Sequence, residues 1–221
     1  MSKIGLFTFY TGNYGAALQA FALQRYICGE LNRECLIVRT RPGVRTETRL
    51  QKWILRGEIF RLGWIKRICC GKNVPKLDSE TFCKLQAGTA ERKKAFVRFE
   101  SEYLQLDDNQ NRLFSDYYRN PPDYDIYLSG SDQVWNPISC GRCNPVYYLD
   151  FVPAGRRRVS YASSFAVSEP PALSVREMKK FLLAFDRISV RETEGAVIVR
   201  RLTDTDPPVV LDPVFLLTDG T

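Results

Sequence analysis

The residues best suited to chemistry sit in short polar runs that directly follow apolar ones. The first run is Ser129-Gly130-Ser131-Asp132-Gln133-Val134-Trp135, which follows Tyr124-Asp125-Ile126-Tyr127-Leu128. Hydroxyls, a carboxylate, an amide and an indole in such close succession suit a sugar. The apolar ring face rests on Trp135, Ser131, Asp132 and Gln133 meet the hydroxyls, and Asp132 takes a proton from one of them. The plainer reading is that Ser131 or Asp132 caps a turn. The second run is Ser189-Val190-Arg191-Glu192. Arg191 is placed to grip a phosphate or carboxylate through two parallel hydrogen bonds, or else to pair locally with Asp186 or Glu194. The third is Gly12-Asn13-Tyr14-Gly15. It either lets an anion approach the backbone at a helix N-terminus or simply makes a tight turn that needs glycine. Ser163 and Ser164, in Tyr161-Ala162-Ser163-Ser164-Phe165, have a similar setting.

Such runs share one site if the apolar segments before them are parallel strands, because ligands of an open α/β sheet bind beyond the C-terminal strand ends. Residues 3–9 read as a short buried strand. Residues 16–27 read as a buried helix, apolar on nearly every side, and 35–40 as a second strand. Strand, turn, helix and strand make a βαβ opening. The same reading gives strands at 124–128, 158–163, 187–190 and 209–211, with helices at 173–185, capped by Ser174, and at 192–202. Residues 41–123 break the rhythm with two helical stretches, 50–68 and 81–103, the first interrupted by Gly57 and Gly63. The expected fold is α/β. It is a Rossmann-like doubly wound parallel sheet over residues 1–221, with a helical insertion at about 41–123.

Composition narrows the chemistry. The sequence has 7 Cys and no His. Triads that use histidine and His-ligated metal sites are excluded, so proton transfer falls to carboxylate, Lys, Tyr or Cys. An odd cysteine count with irregular spacing fits reduced thiols. Cys140-Gly-Arg-Cys143 lacks a well-placed second pair, since Cys69 and Cys70 are adjacent, so no metal site is expected. No GxGxxG follows the first strand and the second strand runs into Arg39, which argues against a nicotinamide cofactor. The net charge of +7 is local: residues 39–72 hold ten Lys or Arg against two acids, and the rest is near neutral. That distribution argues against nucleic acid. Within it, Trp53, Phe60 and Trp64 among lysines and arginines allow a helix lying on an anionic membrane surface, or a lid helix with solvated charges. No apolar run approaches the ~20 residues of a membrane-spanning helix. The expected location is cytoplasmic, at most peripheral to the inner membrane face.

Taken in order, several stretches resemble one family. They are Asn13-Tyr14-Gly15 leading into a Leu-Gln-Ala helix, Gly-Ser-Asp-Gln-Val-Trp-Asn at 130–136 and Tyr-Leu-Asp-Phe-Val at 148–152. Val-Ser-Tyr-Ala-Ser-Ser-Phe at 159–165, Ile-Ser-Val-Arg-Glu at 188–192 and Val-Leu-Asp-Pro at 210–213 complete the series. The series resembles the polysaccharide pyruvyl transferases. The resemblance implies a GT-B-like enzyme of two Rossmann-like halves. Such an enzyme transfers pyruvate from phosphoenolpyruvate to two hydroxyls of a sugar, giving a cyclic ketal, with no cofactor. It also implies a second half after Val-Leu-Asp-Pro, with an arginine and a histidine for the donor phosphate. This sequence has no histidine. The expectation is therefore an acceptor-side half, inactive alone, with Asp132 as base and Arg191 as one cation. Its partners would be a sugar or lipid-linked oligosaccharide and a missing C-terminal half or partner chain. Two alternatives stand beside it: a non-enzymatic truncated remnant or interaction module, and half of a sugar-nucleotide glycosyltransferase.

Overall fold

The structure, a computed structural model, describes residues 2–40, 79–108, 114–137 and 143–217. Segment 50–68, Cys69, Cys70 and Cys140 lie outside the described residues, and with them the surface-helix reading and the cysteine pair. The chain divides into two compact units, Met1–Gly43 with Phe96–Thr221, and Val44–Ala95. The first unit carries the sheet.

Strand β1 (Lys3–Phe7), helix α1 (Tyr14–Gly29) and strand β2 (Glu34–Ile37) form the βαβ opening. Helices α2 (Ser79–Tyr103) and α3 (Phe114–Arg119) precede β3 (Ile126–Gly130) and β4 (Arg157–Tyr161). Helices α4 (Ala172–Leu182) and α5 (Thr193–Thr203) follow, and a 3-10 turn spans Pro213–Leu216. The sheet is parallel throughout, in the order β2-β1-β3-β4. Single parallel bridges extend it on both sides. Leu106 lies beside Ile37, Arg187 beside Val159, Val190 beside Ser163, and Val209 beside Val190. The expected strands at 187–190 and 209–211 are thus reduced to single bridges. Pro207 and Pro208, just ahead of Val209, have no N–H to offer a longer ladder.

The sheet packs apolar residues on both faces. On one face Ala20, Leu23 and Ile27 of α1 meet Ile4, Leu6, Ile37 and Leu128. On the other, Phe7, Val38, Tyr117 and Tyr127 join Trp135, Tyr148 and Phe151, then Met178 and Ile198 of α4 and α5. Helix α1 starts where it does because Asn13 caps it, its Oδ1 accepting the Ala16 N–H at 2.7 Å. Its buried Gln24 fastens the outer strands, donating to Cys35 O at 2.9 Å and Gln105 O at 2.7 Å. Helix α4 departs from the sequence reading. Its N-cap is Pro171 with no side-chain cap bond, and Ser174 lies buried one turn in, its N–H donating to Pro171 O. Strands β1 and β2 stop short of residues 9 and 40 because side chains intercept the backbone there. Thr8 Oγ1 donates to Ser131 O at 3.1 Å, and the Arg39 N–H donates to Asp107 Oδ1 at 2.9 Å. Among the described residues no helix is long and apolar enough to cross a membrane.

Candidate active site

The strand order reverses between β1 and β3, since the chain passes from β1 to β2 on one side and returns to β3 on the other. A crevice beyond the C-terminal ends of those two strands is where such sheets take ligands. Its base is a buried polar hub. Gln19 Nε2 of α1 donates to Thr8 Oγ1 at 3.0 Å and Phe9 O at 2.6 Å, and Thr8 is in turn bonded to Ser131. Thr8, Gln19 and Ser131 are buried with these partners made, which fixes the turn after β3 to the start of α1.

Asp132 follows in the left-handed region, at φ 68°. Aspartate tolerates that conformation better than most residues, because its carboxylate bonds locally. Asp132 Oδ1 accepts the Gln133 N–H at 2.7 Å, while its backbone carbonyl accepts the Ser164 N–H at 3.0 Å. The carboxylate is partly exposed. Ala162 and Ala166 also have positive φ, 51° and 52°, at the end of β4. Backbone strain of this kind persists only where surrounding contacts over-determine it; Asn32, Leu149 and Asp204 show it elsewhere.

Arg191 and Asp132 lie on the same edge of the sheet, joined through Ser131 and Asp212. Arg191 Nη1 donates to Asp212 Oδ2 at 2.9 Å, and that oxygen lies 3.5 Å from Ser131 Oγ. Arg191 Nε donates to Glu192 Oε1 at 3.0 Å. Asp212 also caps the 3-10 turn, accepting the Val214 N–H. The partners of Arg191 are therefore Glu192 and Asp212, in place of Asp186 or Glu194. Asp212, Thr8, Gln19 and Glu192 escaped the sequence reading as site residues. Asp212 stood in Val-Leu-Asp-Pro, and a polar Thr8 ending an apolar strand was the available signal.

The other expected residues divide clearly. Trp135 is 1% exposed. Its ring stacks on Tyr148 at 5.3 Å and abuts Phe165 and Phe185, and Nε1 donates to Tyr147 O at 3.1 Å. It presents no face to a sugar, and the stacking expectation is corrected: apolar rings on several sides make it core. Ser163 is likewise buried, its hydroxyl donating to Ser129 O at 3.2 Å. Ser164 is buried and its hydroxyl accepts the Ala166 N–H at 3.1 Å. Gln133 is exposed, with Oε1 accepting from Asn136 Nδ2. Tyr14 is exposed and leans on Phe96 at 5.1 Å, next to the Asn13 cap and Gly15. Cys143 is buried, its Sγ 3.9 Å from Ser174 O. Among the described residues no group of His, Cys, Asp or Glu could hold a metal ion.

Burial works against the Arg191 cation, but its bonds to Glu192 and Asp212 outweigh that and hold it above the ordinary arginine value. Burial also raises Tyr161, reinforced by Tyr26 and Asp212, and raises Tyr10, reinforced by Glu100 and opposed by Arg39. The sign for stability follows. Both phenols are neutral in either state below the ordinary tyrosine value of about 10, so folding gains fully there. As pH rises through and beyond it, the unfolded chain ionises first and stability falls. Urea midpoints measured at about pH 9 and pH 11 should show the loss, and Tyr161→Phe should reduce it.

The fold is that of an α/β protein with a four-stranded, all-parallel sheet whose order reverses between β1 and β3. The sequence profile of the polysaccharide pyruvyl transferases matches residues 13–220. The chain belongs to the polysaccharide pyruvyl transferase family. Neither the curated proteins nor the solved structures compared with it include a match.

Proposed function

We propose that the chain supplies the acceptor side of a site that moves pyruvate from phosphoenolpyruvate to two hydroxyls of a sugar. The sugar belongs to a cell-surface polysaccharide or its lipid-linked precursor. The observation that carries this reading is the chain Ser131–Asp212–Arg191, which holds the partly exposed Asp132 at a defined place on the switch-point edge.

The reaction forms two C–O bonds at the central carbon of the donor and breaks its bond to the phosphate oxygen. Two hydroxyl protons are released. One ends on the donor methylene, which becomes methyl, and the other leaves with phosphate. Asp132 suits the base that takes a hydroxyl proton, since one carboxylate oxygen is committed to the Gln133 N–H and the other takes no bond from a described residue. Arg191 suits a positioning role better than a grip on phosphate. Its Nε and Nη1 already serve two carboxylates, whose placement it fixes. With no histidine in the sequence and Arg191 already engaged by two carboxylates, donor phosphate binding and protonation of the methylene are assigned to groups outside this edge of the sheet. The basic segment at 39–72 would hold a lipid-linked acceptor against an anionic membrane surface at the cytoplasmic side.

A second reading, an interaction module held by a partner, has one observation in its favour. Val209, Leu211 and Phe215 are exposed around the last bridge of the sheet. The test is ketal formation from phosphoenolpyruvate. It compares the 221-residue chain alone with the chain joined to whatever is encoded after Thr221. The expected result is activity only in the second case, reduced roughly 100- to 10,000-fold by Asp132→Asn. Equal activity in both cases removes the half-site reading, and an unaffected Asp132→Asn removes the base.

A further inference from the structure

Beside the Asp132 turn lies a cavity of about 280 Å³, walled by Gln133, Ser164, Ser168, Glu192 and Glu194. Its volume is at the small end of ligand pockets, which start near ~300 Å³, and suits one sugar ring rather than an oligosaccharide. Ala166, Val167 and Gly195 supply an apolar portion. Gly195 lets the first turn of α5 sit close on the core beneath the cavity: a methyl there would come within 3.3 Å of the Phe165 ring and 3.4 Å of Val190 Cβ.

The polar wall mixes donors and acceptors as a vicinal diol requires, since each hydroxyl both gives and accepts a bond. Among donors, the Gln133 amide nitrogen takes no partner among the described residues, and the first turn of α5 has no side-chain cap. Glu192, at the cap position, turns its Oε1 to Arg191 instead. The acceptors are carboxylates. Among the described residues, Glu192 and Glu194 are the charged ones on this wall, and no Lys or Arg lines it. The nearby cation, Arg191, is engaged with Glu192 and Asp212.

Resting on the acceptor-side reading above, we infer that this cavity is the subsite for the acceptor pyranose, and that it takes a neutral or amino-bearing sugar and turns away uronic acids and sugar phosphates. An anionic sugar would bring like charge against two carboxylates, Glu192 half-buried and Glu194 exposed, and such juxtapositions cost affinity, most at low salt. The donor is anionic and is bound elsewhere, so this charge does not oppose it.

The test is equilibrium binding to the full chain by calorimetry, without donor. The probes are methyl glycosides in gluco, galacto and manno form, each as the neutral hexoside, the 2-amino sugar and the uronate. In at least one series the neutral and amino members should bind about tenfold or more tightly than the uronate. That gap should narrow between ~0.01 and ~0.15 M salt and again in Glu194→Gln. Val167→Trp, which fills the cavity, should abolish binding. Should Glu194→Gln fail to fold, the salt series on the unsubstituted chain makes the same measurement. Uronates binding equally or more tightly, no glycoside binding, or a gap unmoved by both salt and Glu194→Gln would each overturn the inference. The expected binding order, with no ketal formed in the joined-chain assay, would support this subsite while removing the transferase reading.

Discussion

Trp135→Ala should lower folding stability by about 3–5 kcal/mol, the usual cost of truncating a fully buried tryptophan. That is a large share of the ~5–15 kcal/mol that holds a domain folded. The ring lies nearly parallel to Tyr148, 11° between planes, with Phe185 edge-on at 75°, so the substitution leaves a void bounded by rigid rings that cannot collapse into it. It also removes one of the two hydrogen bonds on the Tyr147 carbonyl, which keeps the bond from Ser129 Oγ at 2.6 Å. Trp135→Phe keeps most of the volume and should lose about 1–2 kcal/mol, chiefly that hydrogen bond. Urea unfolding of both variants separates the roles. A Trp135→Ala chain that is fully stable but blind to sugars would restore the platform reading that the buried ring argues against.

Gly130→Ala should be nearly as severe, at about 3–5 kcal/mol. A Cβ at this position would lie 2.1 Å from the backbone oxygen of Tyr161, and φ is +155°. The obstacle is main chain of the neighbouring strand, which cannot rotate aside as a side chain can. Relief requires β3 and β4 to part at Gly130↔Tyr161, one residue before Ser131 and two before Asp132. Loss of stability and loss of site geometry should therefore arrive together. Gly29→Ala, at the end of α1 where an added methyl meets open space, is the control and should change stability by less than about 1 kcal/mol. A chain carrying Gly130→Ala that melts with the unsubstituted protein would show that the strands separate there without cost.

The sequence reading captured the parallel strands and their helices because the periodicity is strong. Alternation between short apolar runs and helix-forming stretches leaves little choice at β1, α1, β3, β4 and α5. What it could not see was partnership. Leu106 joins the sheet beyond β2, and nothing in Leu104-Gln105-Leu106-Asp107 announces a strand; the buried Gln24 of α1 draws it in by bonding both ways with Gln105. Arg191 was legible as a strand-end cation, but its partner Asp212 lies far along the chain, and the nearer acids Asp186 and Glu194 were the natural guesses. Trp135 illustrates the reverse error. An indole among polar residues resembles a binding platform in one dimension, yet Tyr148, Phe165 and Phe185 converge on it only when the sheet is formed.

The bonds that set Asp132 in place have a kinetic meaning. Ser131 is tied to Thr8 across 123 residues and to Asp212 across 81. Closing loops of that length is among the slower and later events in folding. During synthesis Asp212 emerges long after the turn it helps hold, so the strand end carrying Asp132 exists for a time without its clasp. A chain can thus have its sheet and its helices and still lack a site, and spectroscopic signals of secondary structure should recover on refolding before sugar binding does.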